Sequence, residues 1–167
     1  MSLPPPTSSL VRGPDEGEDI WVTGGLSSYK GRPLETGAYL ACEVRAPDGF
    51  AIPVHYHDAE EEEGFYVARG EVTIFLGKEE HRVAAGAFAL APRGMEHAFR
   101  FESADAVLLL LLSPGRKHEA LFRDMGEPAA GHRIPPPPSE PPDPEALAAI
   151  AARHGTRIVG PPRTRQG

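Results

Sequence analysis

The chain has 167 residues, a net charge of −7 and 40% hydrophobic residues, enough for one domain with a buried core and too little for two. The acidic balance disfavours a nucleic-acid partner, and the longest apolar run, Ala106–Leu112, is far short of the roughly 20 residues that span a bilayer. A single cysteine, Cys42, excludes an intrachain disulfide and a cysteine-rich zinc site.

Taken in chain order, three zones separate. Residues 1–17, which are rich in Pro, Ser, Gly and acid, are expected to be a flexible arm. The opening Met1-Ser-Leu-Pro-Pro-Pro has neither the basic nor the apolar region of a signal peptide, so the cytoplasm is the expected compartment. Residues 18–113 carry almost all the strand signal. In Ala38–Arg45, Leu40, Cys42 and Val44 alternate with Tyr39, Glu43 and Arg45. Further strands are expected at Ile52–His57, Glu63–Ala68, Glu71–Leu76, His81–Ala84, Ala87–Ala91, His97–Phe101 and Ala106–Leu112. Strand starts recur about every 8–12 residues with Gly or Pro turns between them, which points to an all-β sandwich or barrel. No intervening segment is long enough for a crossover helix.

Residues 114–167 form a helical and proline-rich extension. Arg116–Met125 places Leu121, Phe122 and Met125 on one face of a short helix ending at Gly126. Ile134–Pro144 holds seven prolines and reads as an extended connector. A second helix is expected at Pro144–Arg153, with Asp143 as N-cap and Gly155 past its end. Its narrow apolar stripe of Leu147, Ile150 and Ala151 should dock on the barrel or on a neighbouring chain.

The residues that could carry chemistry cluster in the middle zone. In His55-Tyr56-His57 the two imidazoles lie two apart on a strand and so share a face. Taken alone, such a pair is more often core than ligand. The acidic run Glu60–Glu63 follows, and its strand can bring the Glu63 carboxylate to the same face. His97, at the start of the strand after the Pro92-Arg-Gly-Met-Glu turn, can supply a fourth group. Three imidazoles and one carboxylate suit a first-row divalent metal and leave about two of six octahedral positions open. A closed tetrahedral zinc site would offer none.

These spacings resemble a known family. Gly49-x5-His55-x-His57 followed by Glu63-x6-Gly70 is similar to the first cupin motif, and Gly86-x5-Pro92-x-Gly94-x2-His97 to the second. The resemblance covers about residues 38–112. It implies a double-stranded β-helix (jelly-roll) barrel with short C-terminal helices, and His55, His57, Glu63 and His97 as metal ligands. Two departures stand out. Five residues separate His57 from Glu63 where the motif has three or four, which leaves Glu62 as an alternative ligand; Glu63 better keeps the register of Phe65-Tyr66-Val67 and Gly70. Phe101 stands where the second motif has Asn.

Among cupins the chain resembles small, single-domain quercetin dioxygenase-like proteins. That implies a metal-dependent dioxygenase acting on a small aromatic or enolic substrate, with Fe, Mn, Ni, Cu or Zn as cofactor and Glu63 also serving as base. A non-catalytic small-molecule-binding cupin and a redox-neutral isomerase or cyclase are the alternatives. A homodimer is expected; a membrane partner is not. Phe65, Phe75, Phe88 and Phe99 read as core or pocket wall, and His81 as exposed. The rest of the acidic run reads as a solvated loop edge, while His118, His132 and His154 read as histidines without supporting partners. Cys42, on the alternation of Leu40 and Val44, reads as a buried inert thiol.

Overall fold

A computed structural model describes residues 8–58 and 60–166; residues 1–7 of the expected arm lie outside that range. The strands are β1 (Glu18–Val22), β2 (Gly25–Gly31), β3 (Leu40–Arg45), β4 (Pro53–His57), β5 (Glu62–Arg69), β6 (Glu71–Leu76), β7 (Glu79–Ala84), β8 (Phe88–Ala91), β9 (His97–Phe101), β10 (Val107–Ser113), β11 (Gly126–Pro128) and β12 (Thr156–Pro162). The helices are α1 (Pro33–Thr36), α2 (Arg116–Met125) and α3 (Pro144–Arg153). None of them is long and apolar enough to cross a membrane.

Two antiparallel sheets face each other, in the orders β11-β1-β2-β3-β10-β5-β8 and β12-β4-β9-β6-β7. Alternation decides what lies between them. Leu40, Cys42 and Val44 of β3 are buried, as are Leu108, Leu110 and Leu112 of β10, and they meet Phe65, Ile74, Phe99 and Phe101 in one core. Cys42 is a free, fully buried thiol, and burial pushes its pKa up. The fold is the all-β sandwich that the strand spacing predicts, in keeping with the jelly roll that the motif resemblance implies.

Four strands extend the sheets beyond the sequence expectation. β1 and β2 carry Glu18, Asp19, Ser27 and Ser28, so they lack a clean apolar alternation. Ser27 and Ser28 are nonetheless buried, and the Ser28 hydroxyl donates to Asp19. β11 is only three residues long, and β12 ends in two prolines. Such strands form because a neighbouring edge supplies the pairing, a long-range cause that local pattern does not contain. Near the N-terminus, Arg12 forms a two-pronged ion pair with Glu35, and Lys30 donates to the carbonyls of Gly13, Pro14 and Glu16.

Phe88 departs from the expected core role: it is 61% exposed. On the edge strand β8 the small Ala89 and Ala91 take the inner positions, so Phe88 and Leu90 face outward. Phe65, Phe75 and Phe99 are buried, and His81 is exposed beside Glu79. Both helices of the extension occupy the expected ranges. The Asp143 side chain caps α3 by accepting from the Glu145 N–H, and α3 packs on α2 and β12 of its own chain.

Candidate metal centre

His55 and His57 sit on β4, His97 on β9 and Glu63 on β5, so the two sheets meet at these four side chains. β4 and β9 are paired with His55 directly opposite His97. All four groups are at most 8% exposed, and their ligand atoms lie within 4.8 Å of one another. The Glu63 carboxylate accepts from His57 Nε2 and from His97 Nε2, each at 2.9 Å. Glu62, the alternative, points out of the cluster, with a half-exposed side chain near Arg93.

The outer nitrogen of each ring is also occupied. His55 Nδ1 donates to the Pro53 carbonyl at 2.9 Å and His97 Nδ1 to the Met95 carbonyl at 2.8 Å. His57 Nδ1 donates to the Thr156 hydroxyl at 3.1 Å. With every Nδ1 held from behind, each Nε2 is turned toward the cluster, an orientation that suits metal ligation. Three nitrogens and one carboxylate oxygen fit a first-row divalent ion.

Charge follows the same geometry. Burial pushes the Glu63 pKa up, but hydrogen bonds and charge from His57 and His97 outweigh it and hold Glu63 ionised well below the usual carboxylate range. Burial lowers His57, yet the Glu63 carboxylate more than offsets this and its pKa rises. His55 has no carboxylate bond, and burial together with its two histidine neighbours drives it well below the ordinary value.

Two residues that the sequence reading set aside join the site. Glu61 is 3% and His118 4% exposed, and the His118 ring lies 5.2 Å from that of His57. Glu61 Oε2 is 3.9 Å from His118 Nδ1 and 3.7 Å from His57 Nδ1, too far for hydrogen bonds. Glu61 Oε1 and His118 Nδ1 are both buried without a hydrogen-bond partner among the described residues. Burial pushes the Glu61 carboxyl up and His118 down to about 3. The acidic run is thus not simply a solvated edge: it alternates inward at Glu61 and Glu63. His118 reaches the site because α2 packs against β1, β3 and β11, a placement that no local spacing encodes. His132 and His154 also have partners, Asp19 and Asp124, away from the site.

The cluster opens into a cavity of about 570 Å³. Its wall combines Val44, Phe50, Ile52, Phe99 and Leu110 of the sandwich with Leu121, Phe122, Met125, Leu147 and Ile158 of the C-terminal extension. Glu63 and His55 line its floor and His118 its side, and no lysine or arginine is among the described lining residues.

Residues 43–113 match the Cupin domain family. They form a cupin domain. Over 99 residues the chain is 30% identical to quercetin 2,3-dioxygenase of Bacillus subtilis (strain 168), an alignment covering 59% of this chain and 29% of that protein. The chain thus spans under a third of the length of that relative. Among solved structures, a RmlC-like cupin from Shewanella frigidimarina NCIMB 400 superposes with a TM-score of 0.55 at 21% identity, covering 68% of this chain and 96% of the other. KdgF from a Halomonas species gives 0.51 at 21% identity, covering 57% and 85%. These likenesses bear on the fold; the cupin segment itself supplies all four members of the candidate metal cluster.

Proposed function

We propose that this cupin is a metal-dependent dioxygenase acting on a small, apolar, aromatic or enolic substrate. One observation carries the reading: two members of the four-residue cluster, His55 and Glu63, line a cavity whose wall is largely apolar and, among the described residues, has no lysine or arginine. Away from the metal, the charge of a phosphorylated or carboxylated substrate would find no lysine or arginine partner there and would carry a desolvation cost. An aromatic ring would instead bury its faces against Phe50, Phe99, Phe122 and Leu121. The identity to quercetin 2,3-dioxygenase, a protein named for oxidising an aromatic enol, supports the same choice.

His55, His57 and His97 through Nε2, with Glu63 through its carboxylate, would hold the ion. Bound there, a divalent transition metal supplies Lewis acidity and open coordination positions. The chain's own residues do the rest. The cavity wall excludes water and orients the ring. Glu63, at the cavity floor, accepts the proton of the substrate hydroxyl as the enolate forms. His118, kept neutral by burial, borders the substrate without adding charge.

The test combines elemental analysis with an oxygen electrode. Untagged protein should carry about one metal per chain, lost in His55→Ala and in His97→Ala, and should consume oxygen with flavonols or catechols. Saturable flavonol binding without oxygen uptake would make the protein a binding module. A product of unchanged mass would make it a redox-neutral enzyme.

A further inference from the structure

We infer that Thr156 is a positioning residue of the metal centre, and that β12, outside the matched cupin segment, completes that centre by holding the His57 ring. The inference rests on the metal-centre reading above and concerns how the site is built.

The three histidines are not fixed alike. His55 and His97 each donate Nδ1–H to a backbone carbonyl two residues earlier in their own chain segment, an acceptor that no substitution removes. His57 has no such carbonyl and depends on a side-chain hydroxyl 99 residues away. β12 runs antiparallel to β4 with Thr156 directly opposite His57 and Ile158 opposite His55. Thr156 therefore shares the inner face with His57, and it is 4% exposed.

What happens without the hydroxyl follows from the neighbours. The other acceptor near His57 Nδ1 is Glu61 Oε2, at 3.7 Å. A buried ring N–H left without a partner incurs a desolvation cost. The ring would turn toward Glu61 to avoid it, and Nε2 would swing away from Glu63 and the cluster. Thr156 thus settles a competition between two carboxylates for one imidazole.

β12 is also anchored well enough to serve as a support. Asp58 N–H donates to the Gly155 carbonyl at 2.8 Å where the strand begins. Just beyond its other end, Arg163 lies over the Phe75 ring, and Arg165 bonds Glu102 and Asp48. An acceptor held between two such anchors fixes a ring angle, whereas a mobile tail would not.

The experiment measures Co(II) affinity of the full-length protein by competition with a chelator, for wild type, Thr156→Val, Thr156→Ala and Thr156→Ser. Valine keeps the shape and removes the hydroxyl, serine keeps the hydroxyl and removes the methyl, and alanine removes both. Thr156→Val and Thr156→Ala should bind about 10- to 100-fold more weakly, as expected for loss of a partner behind a metal-bound histidine, and Thr156→Ser should bind as wild type does. Affinity in both hydroxyl-free variants equal to wild type overturns the inference and leaves the metal centre standing. So does a Thr156→Ser variant as weak as Thr156→Val, because packing would then explain the loss. Wild-type protein that takes up no Co(II) overturns the metal-centre reading itself, a different result from either.

Discussion

His55 and His97 face each other directly across β4 and β9, with ring centroids 4.4 Å apart, and the Glu63 carboxylate reaches His97 from the opposite sheet. The cluster therefore ties the two halves of the sandwich together through one buried anion. Glu63→Gln keeps the shape and removes the charge. It should weaken metal binding by more than ~100-fold, since a ligand matters more than the outer partners whose loss costs about 10- to 100-fold. A chelator-competition titration measures this, and near-wild-type affinity would remove Glu63 from the ligand set.

Metal uptake should depend on pH through His57. Its folded pKa is raised, so below that pKa the ring carries a proton that an incoming ion must displace, whereas Glu63 is already ionised. Affinity should climb about tenfold per pH unit up to the His57 pKa and then level off. The metal-free protein behaves differently. The stabilisation from raised His57 is complete below about 6.5 and fades as pH rises through its folded pKa, while that from depressed Glu63 is present above about 4.5 and is lost on acidification through its own. A flat affinity profile would show that His57 enters the reaction unprotonated.

His118 gives the opposite sign to His57. Its folded pKa is pushed down to about 3, so below about 6.5 the unfolded chain takes up a proton that the folded ring refuses. Its contribution to stability should fall by about 2 kcal/mol between pH 7 and pH 5. His118→Leu should flatten that part of the profile. Urea midpoints at the two pH values, compared between wild type and variant, check it.

The motif glycines should not tolerate alanine equally. Gly70 has φ +71, and a Cβ there would lie 2.6 Å from Ala106 Cα; Gly94 has φ +75 and nothing within 4 Å. Gly94→Ala should cost only the left-handed backbone penalty of about 1–2 kcal/mol. Gly70→Ala should cost clearly more, because a fixed backbone atom must move. Equal shifts in melting temperature would contradict this.

The apolar wall is also testable away from the metal. Leu147 on α3 is half-buried and lines the cavity. Leu147→Asp should leave metal content unchanged and weaken flavonol binding by about tenfold or more, the effect of an uncompensated charge against an apolar ligand. Unchanged affinity in a fluorescence titration would place the ligand elsewhere.

Much was legible beforehand, for local reasons. Period-two alternation at Leu40, Cys42 and Val44 marks a strand because successive side chains must point to opposite faces, and the same rule aligns His55 with His57. The Asp143 cap and the apolar face of Arg116–Met125 are similarly short-range signals. The Glu62/Glu63 ambiguity was of another kind. It arose from the extra residue between His57 and Glu63 relative to the motif; on β5 Glu63 shares the buried face with Phe65 and Val67 while Glu62 does not.

The amino-acid sequence alone thus determined the β class and both helices, since each is written in spacings of a few residues, whereas the four candidate ligands were implied by the resemblance to the two cupin motifs. Only the tertiary structure decided that Glu61 and His118 are buried beside that cluster, that Phe88 faces outward, and that Thr156 stands behind His57. Each of those depends on which distant strand or helix lies alongside. Such pairing is set by burial summed over the whole core, and no short window of sequence contains it.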